Sequence, residues 1–125
     1  MHKKIHYHDT DCGGVVYYAN YLKYFEEART EFMLGKGVDL RELLKQCIMF
    51  AVKSVEIEYK APAYYGDSLL IRTEITKSKN ASLEFYQSAQ KEGRVLVIAK
   101  TKVVCIDNDF RPKVIPQEII ESLNK

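Results

Sequence analysis

His6-Tyr7-His8-Asp9-Thr10-Asp11-Cys12-Gly13-Gly14-Val15-Val16-Tyr17-Tyr18-Ala19-Asn20-Tyr21 decides the fold, because it runs from a polar strand through a turn into a long apolar helix. His2 to His8 reads as the strand. Asp9 to Gly14 reads as a loop, since Asp bonds its neighbouring backbone and paired glycines admit turn conformations. From Tyr17 to Leu34 neither Gly nor Pro interrupts, and Tyr21, Phe25, Ala28 and Phe32 recur at helical spacing. The first half of this helix is apolar on nearly every side, through Tyr17, Tyr18, Ala19, Tyr21, Leu22, Tyr24 and Phe25. Such a helix is expected to be surrounded by protein.

Outward from the helix, Gly35 and Gly37 end it, and Asp39 with Glu42 resembles a capping box opening a short helix through Gln46. The chain then turns strand-like. Ile48 to Tyr59 is rich in branched and aromatic residues, but its apolar phase shifts between Val52 and Val55, which predicts a bulge or an inter-subunit contact near Ser54. Leu69, Ile71, Thr73 and Ile75 share one face of the next strand. Leu83, Phe85, Gln87 and Ala89 share a face of another, and Val95, Val97, Ala99, Thr101, Val103 and Cys105 a face of the last. Turns are expected at Pro62–Asp67, Ser78–Ala81 and Glu92-Gly93, and Ile119, Ile120 and Leu123 mark a terminal amphipathic helix. The four strands have meander spacing, and the whole reads as α+β, an antiparallel sheet curled around one helix.

At 125 residues the chain is one domain, residues 1–125, with 46% hydrophobic and 29% charged residues, enough to bury a core. Nineteen basic against seventeen acidic side chains, with no basic block, disfavour nucleic acid as a partner. No stretch approaches the roughly 20 apolar residues of a spanning helix, and no leader pattern follows Met1, so a soluble, cytoplasmic protein is expected. Cys12, Cys47 and Cys105 are too few and too scattered for a disulfide framework or a paired zinc motif. They are expected to be reduced thiols.

The opening stretch also carries chemistry. A carboxylate precedes a glycine turn that lets a substrate approach the backbone, and the free N–H groups of a helix start can hold an oxyanion. This is half of an acyl-transfer site. Asp9 and Asp11 have a plainer reading as turn and helix caps, and Tyr17, Tyr18, Tyr21 and Tyr24 as packing residues. His6 and His8, on one side of a strand with Asp9, Asp11 and Cys12 nearby, sketch a zinc site that lacks a second ligand cluster. Cys12 as a nucleophile would need a base in better register than these adjacent histidines. No metal or cofactor is expected.

The run Asp9-Thr10-Asp11, Gly14-Val15-Val16-Tyr17, Asn20-Tyr21-Leu22, Glu26 and Ala28-Arg29 resembles the signature of hotdog-fold acyl-CoA thioesterases of the 4-hydroxybenzoyl-CoA thioesterase family, most closely its YbgC-like branch. Val55-Glu56-Ile57-Glu58-Tyr59, Ala61-Pro62-Ala63 and Gly66-Asp67 are similar to that family's sheet segment and connecting turn. The resemblance implies a hotdog fold and hydrolysis of acyl-CoA thioesters to free acid and coenzyme A. It maps the catalytic carboxylate onto Asp11, as nucleophile or general base, and the oxyanion donor onto the Tyr18 backbone N–H. Tyr7 matches a tyrosine common in the branch and is expected to orient Asp11 or a water. Gly14, Val15, Val16 and Tyr17 are expected to line the substrate. Members of the branch often carry His where this chain has Tyr18, an exchange that a backbone donor survives.

The resemblance further implies a homodimer or homotetramer, with each site where one subunit's Asp11 loop meets the other's sheet. Acyl carrier protein is an alternative thiol carrier, and a non-catalytic acyl-CoA-binding or scaffold module is an alternative function. Lys77, Lys79, Lys91 and Arg94, gathered at strand ends, are candidates for the coenzyme A phosphates. Lys100 and Lys102 are expected to face outward from the last strand.

Overall fold

In the computed structural model, which describes residues 1–125, a short strand β1 (His2–Lys4) and a 3-10 turn (Tyr7–Asp9) lead to helix α1 (Asn20–Gly35). There follow α2 (Leu40–Lys45), the strands β2 (Met49–Tyr59), β3 (Ser68–Ser78), β4 (Ser82–Lys91) and β5 (Arg94–Ile106), and α3 (Gln117–Leu123). All strands join one antiparallel sheet in the order β1-β3-β4-β5-β2.

The sequential order expected of a meander therefore holds only from β3 to β5. β2 lies beside β5, at the opposite end of the sheet from β1, so the segment after Tyr59 crosses to the far side before β3 begins. Strand periodicity says which face a residue takes but not which neighbour it pairs with, and β2 satisfies its apolar positions against β5 as well as it would against β3. The register of β2 slips between Val52 and Ser54, leaving Lys53 as the extra residue of a bulge at the predicted place. At the β4–β5 turn Glu92 and Gly93 both adopt positive φ, 49° and 81°, the pair of left-handed residues a tight hairpin needs.

The predicted inward faces of β4 and β5 form the core. Leu83, Phe85, Gln87 and Ala89 are buried, as are Val97, Ala99, Thr101, Val103 and Cys105, but Val95 is only half-buried and Leu96 is buried instead, where the β4–β5 register slips. Tyr21, Tyr24, Phe25 and Ala28 of α1 pack on one cluster with Ile5, Leu69, Ile71, Val97 and Ala99, while Met33 joins a second with α2, α3, Phe85 and Val103. The sheet covers one side of the 16-residue α1 only: Leu22 and Leu34 remain 45% and 52% exposed. Within one chain, the expectation of a helix surrounded on nearly every side is thus met by half.

Three local expectations are corrected. α1 starts at Asn20 rather than Tyr17, because the Tyr17 N–H donates to the Asp9 carbonyl at 3.0 Å and keeps the backbone in a hairpin to that point. The strand ends at Lys4 rather than running to His8, because the Asp9 carboxylate accepts the His6 N–H at 2.8 Å and coils Tyr7–Asp9 into a turn. At α2 the Asp39 side chain caps the Arg41 N–H, as predicted, while Glu42 pairs with Lys45 at 3.2 Å instead of closing a capping box. No helix is long and apolar enough to cross a membrane.

Candidate active site

The decisive stretch folds back on itself. Asp9 faces Tyr17 through the bond just described, Thr10 bridges Val16, and the Asp11 N–H donates to the Val15 carbonyl at 2.9 Å. Between the arms, the Gly14 N–H closes a turn on the Asp11 carbonyl at 3.0 Å, and the Asp11 carboxylate accepts the Gly13 N–H at 2.8 Å through Oδ1. Gly14 takes φ +78°, which its missing Cβ permits. Asp11 is exposed at this tip, with Oδ2 free of any protein partner.

Asp9 is placed quite differently. It is buried, its carboxylate receives the His6 N–H, and its carbonyl receives both the Tyr17 N–H and Asn20 Nδ2, the latter at 2.9 Å. Burial alone would push its carboxyl up, but the His6 bond, the adjacent Tyr24 hydroxyl and the His8 and Lys3 charges hold it below the usual carboxylate range. Tyr24, itself buried, has no partner in good hydrogen-bond geometry for its hydroxyl. The two aspartates thus divide into a buried clamp and an exposed, partly unoccupied carboxylate.

The arms of this hairpin dock on the segment between β2 and β3. The Val16 N–H donates to the Ala63 carbonyl at 2.9 Å and Val15 bridges Tyr64. Beyond Tyr17 the backbone turns into α1, and two N–H groups, those of Tyr18 and Ala19, are left without an acceptor. Next to them Val16, Tyr18, Tyr21, Tyr59, Lys60, Ala61 and Pro62 line a largely apolar groove of about 310 Å³. Burial pushes the Tyr21 hydroxyl up to about 12.

Val16 and Tyr18 of the predicted set line this groove, whereas Gly14 sits at the exposed tip and Tyr17 turns its ring onto Tyr18, 4.8 Å between centroids. Tyr7 packs against Tyr65 with ring centroids 5.7 Å apart and makes no hydrogen bond to Asp11. His6 and His8 stack on each other at 5.5 Å, and no three His, Cys, Asp or Glu side chains gather as a metal site would require. Lys77 and Lys79 lie at one end of β4 and Lys91 and Arg94 at the other, roughly 23–30 Å apart at about 3.3 Å per residue, so they form no single cluster. Lys91 is also held by Asp67 at 2.8 Å. Lys100 and Lys102 lie opposite Glu56 and Glu84, on an outer face whose hollow of about 440 Å³ contains no residue of the hairpin.

Two residues that sequence reasoning left without a role belong to the site. Asn20 stands in the quoted motif, but only the folded hairpin brings its side chain to the Asp9 carbonyl. Tyr59 is 41 residues from Tyr18 in sequence, yet its hydroxyl donates to the Tyr18 carbonyl at 3.0 Å.

Known proteins similar to this chain in sequence and in fold are thioesterases. The family model described as thioesterase-like superfamily matches residues 5–123. The acyl-CoA thioester hydrolase YbgC of Escherichia coli is 38% identical over 94% of this chain and 89% of its own length. The acyl-CoA thioesterase YbgC of Haemophilus influenzae is 37% identical over 93% of this chain and 87% of its own. A solved gentisyl-coenzyme A thioesterase superposes with a TM-score of 0.92 at 30% identity, covering 98% of both chains.

Proposed function

The chain belongs to the thioesterase-like superfamily, with its hotdog fold, and from that premise we propose that it hydrolyses acyl-CoA thioesters to free carboxylic acid and coenzyme A. Asp11 acts as nucleophile or general base and the Tyr18 N–H as oxyanion donor. The observation that carries this reading is a carboxylate with a free oxygen at the hairpin tip together with, where the second arm enters α1, a backbone N–H with no internal acceptor. Water or the carboxylate attacks the thioester carbonyl, and the charge that builds on its oxygen meets the N–H where the helix dipole is also positive. Val15, Val16, Tyr17 and Gly14 shape the approach to the carbonyl. The three cysteines are free thiols, in keeping with a cytoplasmic enzyme.

Free-thiol release from a panel of short, long and aromatic acyl-CoA esters tests the activity, with acyl carrier protein thioesters run alongside. Turnover of at least one acyl-CoA is expected. No turnover across the panel would favour a binding or scaffold module, and turnover of carrier-protein esters alone would move the thiol carrier.

The active unit is proposed to be a homodimer or homotetramer. β2 runs for eleven residues with its outer edge unpaired, and Val52, Val55 and Tyr59 along it are 50%, 38% and 43% exposed. An edge of that length invites pairing with a second copy. Light scattering at micromolar concentration should give at least twice the monomer mass of 14.5 kDa, and a monomer would overturn the assignment.

A further inference from the structure

We infer that Tyr59, at the end of β2, is a positioning residue for the oxyanion site: its hydroxyl fixes the peptide between Tyr18 and Ala19 and thereby the direction of the free Ala19 N–H, the second donor beside the Tyr18 N–H. This rests on the proposed role of the Tyr18 N–H and adds a residue to it.

Two peptide planes meet at Tyr18. A trans peptide is flat and its N–H points opposite to its C=O, so holding the carbonyl aims the amide. In the first plane the Tyr17 carbonyl accepts the Asn20 N–H at 2.9 Å, which aims the Tyr18 N–H. In the second the Tyr18 carbonyl would ordinarily be held by the opening turn of the helix. Here that bond, from the Tyr21 N–H, is long at 3.4 Å, and the shorter contact is the Tyr59 hydroxyl at 3.0 Å. The side chain of the edge strand thus supplies what the first turn of α1 supplies weakly.

Tyr59 is itself well anchored. Its ring meets Tyr21 at 5.8 Å and Tyr18 edge-on at 6.1 Å, and it pairs with Val97 in the ladder. The next two residues, Lys60 and Ala61, both donate to the Leu96 carbonyl, at 2.8 and 3.1 Å. Burial, and then the neighbouring Tyr18, raise the Tyr59 hydroxyl above its ordinary value, so it remains a donor throughout the neutral range. A hydrogen bond to a carbonyl also polarises the N–H of the same peptide, here that of Ala19. Pre-set donors of this kind stabilise an oxyanion because they need no reorganisation when the charge appears.

Tyr59→Phe keeps the ring and its packing and removes only the donor. On the fastest acyl-CoA of the panel, kcat should fall roughly 10-fold, less than the 10²–10³-fold typical of losing an oxyanion donor outright, with KM within about twofold of the parent. The melting curve should stay close to the parent's. In amide NMR spectra the Ala19 proton should move upfield as its peptide loses the bond, which a purely structural role in the groove would not produce. Unchanged kcat, a loss confined to KM, or an unmoved Ala19 resonance would overturn the inference. Asp11→Asn run in parallel separates the two readings: a slow Asp11→Asn with a normal Tyr59→Phe removes Tyr59 alone, whereas a fully active Asp11→Asn removes the site on which the inference stands.

Discussion

Asp11→Asn is expected to fold and bind acyl-CoA like the parent but to turn it over roughly 10²–10⁴-fold more slowly, the usual cost of removing a general base. The exchange is nearly isosteric, and the asparagine carbonyl can still accept the Gly13 N–H that Oδ1 accepts now, so the turn survives while the charge goes. A thioester carbonyl has little resonance stabilisation, so a carboxylate can attack it to give a mixed anhydride or can deprotonate an attacking water. Both routes lose their driving group in Asp11→Asn, and both leave the Tyr18 N–H in place. Rates matching the parent would remove Asp11 from the mechanism. For the parent, single turnover in ¹⁸O-water probes the route: label entering Asp11 marks the anhydride, because water can split it at the enzyme's own carbonyl. Label in the released acid alone is compatible with a general base or with anhydride opening at the substrate carbonyl.

Asp9→Asn supplies the contrast within the same hairpin. It should lose stability first and activity only as the loop loosens, since Asp9 is buried and clamps His6, Tyr17 and Asn20. The folded Asp9 holds a lowered pKa, so its ionisation stabilises the native state above the unfolded value near 3.9, and this contribution is lost as pH falls through the folded value. The stability gap between parent and Asp9→Asn should therefore be full at neutral pH and narrow in acid.

The contrast also measures what the sequence made legible. Alternation along β4 and β5 identified most of the buried face, because strand periodicity is a local property that the tertiary fold merely uses, and it failed at Val95 and Leu96, where the register slips. The phase slip at Val52–Val55 marked the bulge for the same reason. Strand order was not legible, since β2 offers the same pattern to either neighbour. The start of α1 was misplaced by three residues because the Asp9 carbonyl, eight residues upstream of Tyr17, accepts the Tyr17 N–H and holds that residue in the hairpin. At the site, the motif singled out Asp11 and Tyr18, whereas Tyr59 needed the crossing from β2 to α1 that only the folded chain supplies. The basic residues failed as a group because proximity to strand ends says nothing of which end.

Gln87 shows how a residue read as an ordinary member of an inward strand face can carry a large share of the fold's stability. It is 1% exposed, and its amide donates to the Phe25 carbonyl at 2.9 Å and to Thr73 Oγ1 at 3.0 Å while its oxygen accepts from Arg29 at 3.1 Å. These bonds tie the middle of α1 to β3 and β4. Arg29 has no carboxylate within ion-pair distance, and burial pulls its guanidinium below its ordinary value, against the opposing pull of Glu26. Gln87→Met keeps the length and volume of the side chain and removes every one of these bonds. Two neutral bonds at about 1 kcal/mol each, together with a charged donor left unpaired, make the expected loss about 3 kcal/mol. In urea this should lower the unfolding midpoint without changing the slope, because the surface exposed on unfolding is the same. Thr73→Val, which removes one of the neutral bonds, should cost about 1 kcal/mol. A Gln87→Met loss no larger than that of Thr73→Val would mean that the Arg29 and Phe25 contacts contribute nothing net, and that α1 is held to the sheet by its apolar face alone.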